Sequence, residues 1–221
     1  MKKLVHGIID FKKNMKPGHR ETFTRLALGQ FPDCLFITCS DSRVAPNVFA
    51  STDPGDLLVV RNVGNLIPQC GGNHGLSLSD ESEGAAIEFA ISTLKVENVI
   101  VCGHSECGGM RALYEGREKV QTPNLKAWLR HGEKALETLR SEKPQSGITP
   151  HNRLSQLNVL QQIEHLKSYP IIQSALKAEK LKLHAWWFEL ATATVHFFNP
   201  ATRQFNEIEE KRAIEVIECA N

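Results

Sequence analysis

The stretch that decides the fold is residues 97–110, which reads ENVIVCGHSECGGM. Residues 98–102 are a short β-branched apolar run that ends at Gly103, a pattern typical of a fully buried strand. His104 and Cys107 follow at once, where the strand gives way to a helix. Functional sites of open α/β sheets lie at the carboxyl ends of strands. The pair therefore predicts two metal ligands at such an end, with a core cysteine beside a turn histidine as the alternative.

The composition is that of an ordinary globular domain. The chain has 221 residues, 41% of them hydrophobic and 23% charged, with a formal net charge of +1. A chain of this length can bury a substantial core without disulfides. The absence of a basic block argues against nucleic acid and anionic membranes as partners. We expect one domain over residues 1–221, with a helical arm (1–29), an α/β core (30–200) and a tail (201–221).

The amino end is not expected to carry an export signal, because its apolar patch is short and no small-residue cleavage site follows it. Six cysteines stand at positions 34, 39, 70, 102, 107 and 219, too few for a disulfide framework in a chain of this length. We expect a cytoplasmic protein with reduced cysteines. Cys34 and Cys102 fall inside apolar runs and are predicted to lie in the core.

A second motif supplies a third ligand. Residues 34–38 form another buried-strand pattern, and the sequence CSDSR follows from Cys39. Neighbouring parallel strands would bring Cys39 beside His104 and Cys107. Two thiolates and one imidazole leave a tetrahedral zinc with one open position, which is the arrangement of catalytic rather than structural sites.

Asp41 and Arg43 flank Cys39 on the same loop. A charge-assisted hydrogen bond from Arg43 would fix the Asp41 carboxylate. Asp41 would then accept a hydrogen bond from a zinc-bound water or swing in as the fourth ligand. A surface ion pair next to a helix that begins near Pro46 is the structural alternative.

The rest of the chain alternates helices with strands. Another buried strand is predicted at 57–61, strands are predicted at 181–190 and 194–198 as a terminal hairpin or edge strand, and a polar loop is predicted at 70–82. Helices are predicted at 4–14, 19–28, 83–94, 123–140, 150–167 and 171–179, and the tail from 207 is predicted to be helical. This order predicts an α/β fold with a central, mostly parallel sheet flanked by helices. The amphipathic helix 4–14 would pack on its own domain or on a neighbouring subunit.

These motifs resemble those of the β-class carbonic anhydrases, in the plant and cyanobacterial branch. The matching segments are CSDSRV from Cys39, RNVGN from Arg61, EGAAIE from Glu83 and GHSECGG from Gly103. The resemblance implies the β-carbonic anhydrase fold, assembled as a homodimer or homotetramer whose amino-terminal helices embrace the partner subunit. It also implies one Zn²⁺ per subunit.

The resemblance assigns site residues by position. The zinc ligands carry over onto Cys39, His104 and Cys107, and the catalytic Asp-Arg pair onto Asp41 and Arg43.

Four further positions are implied to bind substrate. Gln30 aligns with a glutamine that hydrogen-bonds substrate across a subunit interface, and Gly108 with a glycine whose N–H faces the substrate. Phe89 and Leu58 fall at pocket positions that are aromatic in this branch, so Leu58 departs from the pattern. Residues 36–38 replace the Trp-x-Gly of the bicarbonate-regulated branch, which argues against an allosteric bicarbonate site.

The implied reaction is the reversible hydration of CO₂ to bicarbonate and a proton by zinc-bound hydroxide, since zinc lowers the pKa of bound water to about 7. One alternative is a carbon disulfide or carbonyl sulfide hydrolase on the same fold, and another is a zinc-stabilised, non-catalytic binding or redox-sensing protein. A zinc deaminase also has the H-x-E motif found at His104, but it requires P-C-x-x-C as well, and no two cysteines here are three positions apart.

Overall fold

The computed structural model describes residues 1–15, 17–71 and 81–218. Within these ranges the strands are β1 (Cys34–Cys39), β2 (Leu57–Asn62), β3 (Asn98–His104), β4 (Lys182–Glu189), β5 (Thr194–Asn199) and β6 (Gln204–Glu207). The α-helices are α1 (Lys2–Asn14), α2 (Pro17–Leu26), α3 (Pro46–Phe49), α4 (Glu81–Glu88), α5 (Gly108–Gly116), α6 (Pro123–Trp128), α7 (Glu133–Ser141), α8 (Pro150–Lys167), α9 (Pro170–Lys177) and α10 (Ala213–Glu218). A π-helix (Phe89–Leu94) continues α4, and 3₁₀ turns occupy Arg117–Lys119, Leu129–Gly132 and Glu210–Arg212.

The strands form one sheet in the order β2-β1-β3-β4-β5-β6. The first four are mutually parallel, and β5 and β6 extend the sheet in antiparallel fashion. The prediction of a mostly parallel sheet flanked by helices is therefore confirmed. All six residues of β1 are buried, and so are six of the seven in β3. Strands covered on both faces have continuous apolar runs, which explains the patterns at 34–38 and 98–102.

Two layers cover the sheet, because successive side chains of a strand point to opposite faces. On one face Leu35, Ile37, Val99 and Val101 pack with apolar residues of α8, α9 and the π-helix. On the other face Phe36, Ile100 and Cys102 pack with Phe49, Trp186 and Phe188. Cys34 and Cys102 lie in this second layer, as predicted, and burial raises the pKa of Cys34 to about 12.

Some strand predictions were wrong in extent or place. β3 continues past Cys102 to His104, since Gly103 and His104 pair with Trp187 and Phe188 of β4. β2 was predicted to be a buried strand, but it forms one edge of the sheet, and five of its six side chains are half-buried.

The carboxyl-terminal part also differs from its prediction. The hairpin of β4 and β5 is present, but β4 lies inside the sheet because it pairs with β3 on its other side. β6 extends the sheet into residues 201–221, the predicted tail. The helix predicted at 123–140 is interrupted by the 3₁₀ turn that ends at Gly132, where a Cβ would lie 2.6 Å from Leu113 Cδ2. Most of the loop predicted at 70–82 lies outside the described residues.

The amino-terminal helix α1 is amphipathic, and none of its described residues is buried. Its apolar face exposes Leu4 (64%) and Ile8 (69%). Within the described ranges, no helix combines the length and the apolarity that crossing a bilayer requires.

Candidate metal centre

The sheet itself brings the three predicted ligands together. Cys39 and His104 are the last residues of β1 and β3, which are adjacent and parallel. Cys107 is the residue before α5, three positions after the end of β3. The loop between β3 and α5 turns sharply at Glu106, whose φ is +55°. The two sulfurs and the imidazole therefore meet at the carboxyl edge of the sheet, where open α/β folds place their sites.

The geometry of these side chains suits a tetrahedral metal. Their ligand atoms all lie within 4.8 Å of one another, and all three side chains are buried. Cys39 Sγ and Cys107 Sγ are 3.9 Å apart. Two sulfurs bound to one zinc at about 2.3 Å in a tetrahedron would be separated by about 3.8 Å.

The orientation of His104 also fits a cation. Its Nδ1 lies 2.7 Å from Ser105 O, so this nitrogen carries the proton and donates to the carbonyl. Its Nε2 is buried and has no hydrogen-bond partner among the described residues. A buried nitrogen lone pair without a donor is costly. A metal ion bound at Nε2 would satisfy it.

The close contact between the two sulfurs shifts their pKa values in opposite directions. Hydrogen bonds, above all the one with Cys107, lower the pKa of Cys39 to about 4, and the Gly64 N–H contributes from 3.3 Å. The bond to Cys39 and burial raise the pKa of Cys107 well above its usual value. A divalent cation would stabilise both thiolates, because metal binding favours the deprotonated form.

Asp41 and Arg43 form a two-pronged ion pair beside the sulfurs. Arg43 Nε donates to Asp41 Oδ1 over 2.9 Å, and one terminal nitrogen of Arg43 donates to Oδ2 over 2.7 Å. The bond from the Arg43 side chain holds the pKa of Asp41 well below its usual range. Asp41 Oδ2 is 4.0 Å from His104 Nε2. In this arrangement Arg43 engages both carboxylate oxygens, and the carboxylate faces the metal ligands.

Arg61 is a site residue to which sequence reasoning gave no role. From β2 it donates to Cys39 O over 3.1 Å and to Asp41 O over 2.7 Å, so it fixes the loop that carries both side chains. Its position beside the end of β1 follows from the parallel register of the two strands. The signal available was its place at the start of RNVGN, one of the segments that carry the family resemblance.

Buried polar side chains of helix α8 form hydrogen bonds to the backbone of the site. Sequence reasoning did not identify them. Ser155 Oγ donates to His104 O over 2.8 Å, and Asn158 Nδ2 donates to Gly64 O over 3.0 Å. Asn152 Oδ1 accepts the Glu106 N–H over 2.7 Å. Two of these contacts end on His104 itself or on the residue before Cys107, and the third ends on Gly64, whose N–H contacts Cys39 Sγ.

The four predicted substrate residues lie on different elements and differ in exposure. Gly108 is exposed directly after Cys107, and a Cβ there would meet nothing within 4 Å. Gln30 is exposed at the surface, as is Phe89, which is 43% exposed. Leu58 is half-buried on β2 and packs against the core.

A cavity of about 940 Å³ lies at the other end of the sheet, near the start of β1, β3 and β4. Asp33, Asn98 and Lys182 are among the residues that line it, and none of the three metal ligands does. The chemistry of the ligand cluster is therefore separate from this cavity.

Known proteins match most of this chain. Residues 34–195 match the family model described as carbonic anhydrase. A carbonic anhydrase from Synechococcus elongatus is 40% identical over 199 residues, covering 88% of this chain and 70% of its own length.

Two solved structures place this similarity in the β class. The β-carbonic anhydrase CcaA superposes with a TM-score of 0.84 at 35% identity, covering 94% of this chain and 99% of its own. A tetrameric β-carbonic anhydrase from Sordaria macrospora gives a TM-score of 0.69 at 28% identity, covering 88% and 93%.

Proposed function

Since this chain belongs to the β-carbonic anhydrase family and is an enzyme of reversible CO₂ hydration, we propose that Cys39, His104 and Cys107 hold one Zn²⁺ per subunit. The observation that carries the assignment is the convergence of the three ligand atoms within 4.8 Å. The unpartnered Nε2 of His104 supports it. When bound, zinc acts as a Lewis acid that makes water a nucleophile near neutral pH.

Asp41 is the residue that orients the attacking water. Its carboxylate stays ionised because Arg43 lowers its pKa, so it can only accept hydrogen bonds. Arg43 holds both carboxylate oxygens, and Arg61 holds the Asp41 carbonyl. With its position fixed from two sides, Asp41 Oδ2 accepts a hydrogen bond from the O–H of the attacking water and so orients the oxygen lone pair toward CO₂. We assign the alternative role of fourth ligand to a closed state in which Asp41 has left Arg43.

The substrate pocket is completed across a subunit interface. We assign Gly108, Phe89 and Leu58 to the wall of the substrate pocket, and Gln30 to a position that reaches substrate across the interface. The exposure of Gln30 and Phe89 supports this assignment, because exposed positions are available to a second subunit.

We assign the whole chain to one domain that assembles as a homodimer or a homotetramer. The exposed apolar face of α1 supports assembly, since contiguous apolar surface commonly marks a protein interface. We place the enzyme in the cytoplasm, where two closely spaced ligand thiols stay reduced.

The test is stopped-flow CO₂ hydration, with a pH indicator, on protein of measured zinc content. We expect turnover that increases with pH and scales with bound zinc up to one ion per subunit. Removal of zinc by a chelator should abolish activity, and readdition should restore it. Fully loaded protein without CO₂ hydration would contradict the proposal.

A further inference from the structure

One peptide group connects the metal centre to the side chain of Trp128. The N–H of the Val63–Gly64 peptide points to Cys39 Sγ at 3.3 Å. The C=O of the same peptide accepts a hydrogen bond from Trp128 Nε1 over 2.8 Å. We propose that Trp128 is a positioning residue that holds and polarises this peptide so that its N–H withdraws charge from the Cys39 sulfur. This inference rests on the proposed zinc site.

The peptide is held in one orientation by its surroundings. Gly64 is buried at φ +81°, in the left-handed region, and a Cβ there would lie 3.0 Å from Met110 Cε. Its carbonyl accepts from Asn158 Nδ2 over 3.0 Å, so the following peptide is fixed as well. On the outer side Val63 is 39% exposed, and Trp128 provides the bond to its carbonyl. Loss of the indole N–H would therefore free the carbonyl of the Val63–Gly64 peptide, since the bond from α8 holds only the next peptide.

The hydrogen bond from Trp128 should affect the charge on the Cys39 sulfur by polarising the peptide group between them. A carbonyl that accepts a hydrogen bond makes the N–H of the same peptide a stronger donor, because hydrogen bonds in a chain polarise one another. An N–H donated to a metal-bound thiolate reduces the charge that sulfur gives to the cation. Hydrogen-bond partners of metal ligands commonly change metal affinity or activity by about 10- to 100-fold.

The chain offers a matched pair of substitutions. Trp128→Phe removes the donor and keeps an aromatic ring beside His131, whose ring centroid is 5.2 Å away. Trp186→Phe makes the same chemical change on the other side of the fold, where Trp186 packs edge-on against Phe36 at 6.1 Å. Trp128→His retains a ring N–H and tests for rescue.

The experiment replaces zinc with Co²⁺ and records the sulfur-to-cobalt charge-transfer absorption of wild type and variants. A thiolate sulfur whose hydrogen bond from the Gly64 N–H is weakened is easier to oxidise. We therefore expect the band to move to longer wavelength in Trp128→Phe. Trp186→Phe should leave it unchanged, and Trp128→His should bring it back toward wild type. In the zinc enzymes we expect Trp128→Phe to lose about tenfold in kcat/KM at neutral pH and to recover at alkaline pH.

Different results would contradict the metal site and the role of Trp128. If wild type shows no sulfur-to-cobalt band, the proposed metal site is wrong. If that band is present but Trp128→Phe leaves both it and the pH profile unchanged, or if Trp186→Phe shifts them equally, the role of Trp128 is overturned. A measurement without substitutions gives a further check. In ¹¹³Cd-loaded wild type, NMR should detect coupling between the metal and the Gly64 amide proton, and its absence would also overturn the inference.

Discussion

At the scale of the residue, the proposed role of Asp41 and Arg43 is to orient the attacking water while the three other side chains hold the metal. The Asp41→Ala substitution should reduce kcat/KM by about 100-fold or more, the usual range for a side chain that manages a proton in the reaction. Zinc content, measured by atomic absorption, should remain near one per subunit, because the ligand set is intact. The control is Asp33→Ala, an exposed carboxylate just before β1. Loss of zinc in Asp41→Ala would instead assign Asp41 as a ligand.

His184 predicts a pH dependence of stability that is independent of the metal centre. Burial, and secondarily Lys182, lower its pKa from 6.5 to about 4. Between these values the unfolded chain binds a proton at this position that the folded protein does not. The contribution of His184 to the free energy of unfolding is therefore fully present above pH 6.5 and decreases as the pH falls toward 4. His184→Gln, which can still donate to Asn98, should flatten this dependence by about 1 kcal/mol per pH unit.

Urea unfolding at several pH values measures this effect. His6→Gln, an exposed position on α1, is the control and should leave the slope unchanged. Parallel pH curves for wild type and His184→Gln would refute the assignment.

Single residues were predictable where their chemistry was distinctive. Cys39 and His104 directly follow apolar runs and Cys107 comes three residues after His104, so both the residue types and their positions near strand ends indicated ligands. Trp128 and Ser155 gave no such signal, because each acts through one hydrogen bond to a backbone group far away in sequence. The pairing of Trp128 with Val63 depends on how α6 packs, which no local pattern encodes.

At the scale of the element, helix α8 was predictable from the sequence, but its contacts with the site were not. Its existence followed from Thr149-Pro150 and the apolar residues after them, but its function did not. The helix is enclosed, so polar residues on its buried side cannot be distinguished by periodicity from residues that face solvent. Among them, Gln162 accepts the Ile67 N–H over 2.7 Å and donates to Asn158 Oδ1 over 2.9 Å.

Gln162→Leu should therefore reduce the free energy of unfolding by about 2–3 kcal/mol, because it leaves buried backbone and side-chain groups without partners. Its neighbour Gln161 is half-buried, and Gln161→Leu should change stability by only about 0.5 kcal/mol. Equilibrium denaturation in urea distinguishes the two. Equal effects would show that the polar contacts of α8 add little to stability.

At the scale of the whole molecule, the parallel direction of the first strands followed from the alternation of helix and strand, whereas the partners of β4 did not. A hairpin pattern does not reveal whether its outer side pairs with another strand. The amino-terminal arm is a similar case, since an amphipathic helix does not identify the surface that it covers.

The exposed face of α1 leads to a prediction about assembly. Ile8→Glu places a charge in the centre of that face and should weaken self-association at least about tenfold, equivalent to about 1.4 kcal/mol. Lys3→Glu, an exposed position on the opposite side of the same helix, is the control. Sedimentation velocity across a range of concentrations measures the change, and activity should decrease with dissociation if the pocket is shared between subunits. An unchanged oligomer would show that α1 does not form the interface.

The parallel pairing of β1, β3 and β4 also has a consequence for how the chain reaches its native state. The contact between Thr38 and Cys102 spans 64 residues, and that between Asn98 and His184 spans 86. Contacts between such distant segments slow folding, since long loops must close before the contacts compensate for the lost chain entropy. The ligands at the ends of β1 and β3 meet only after this closure. Zinc should therefore be captured late, and it should slow unfolding more than it accelerates refolding.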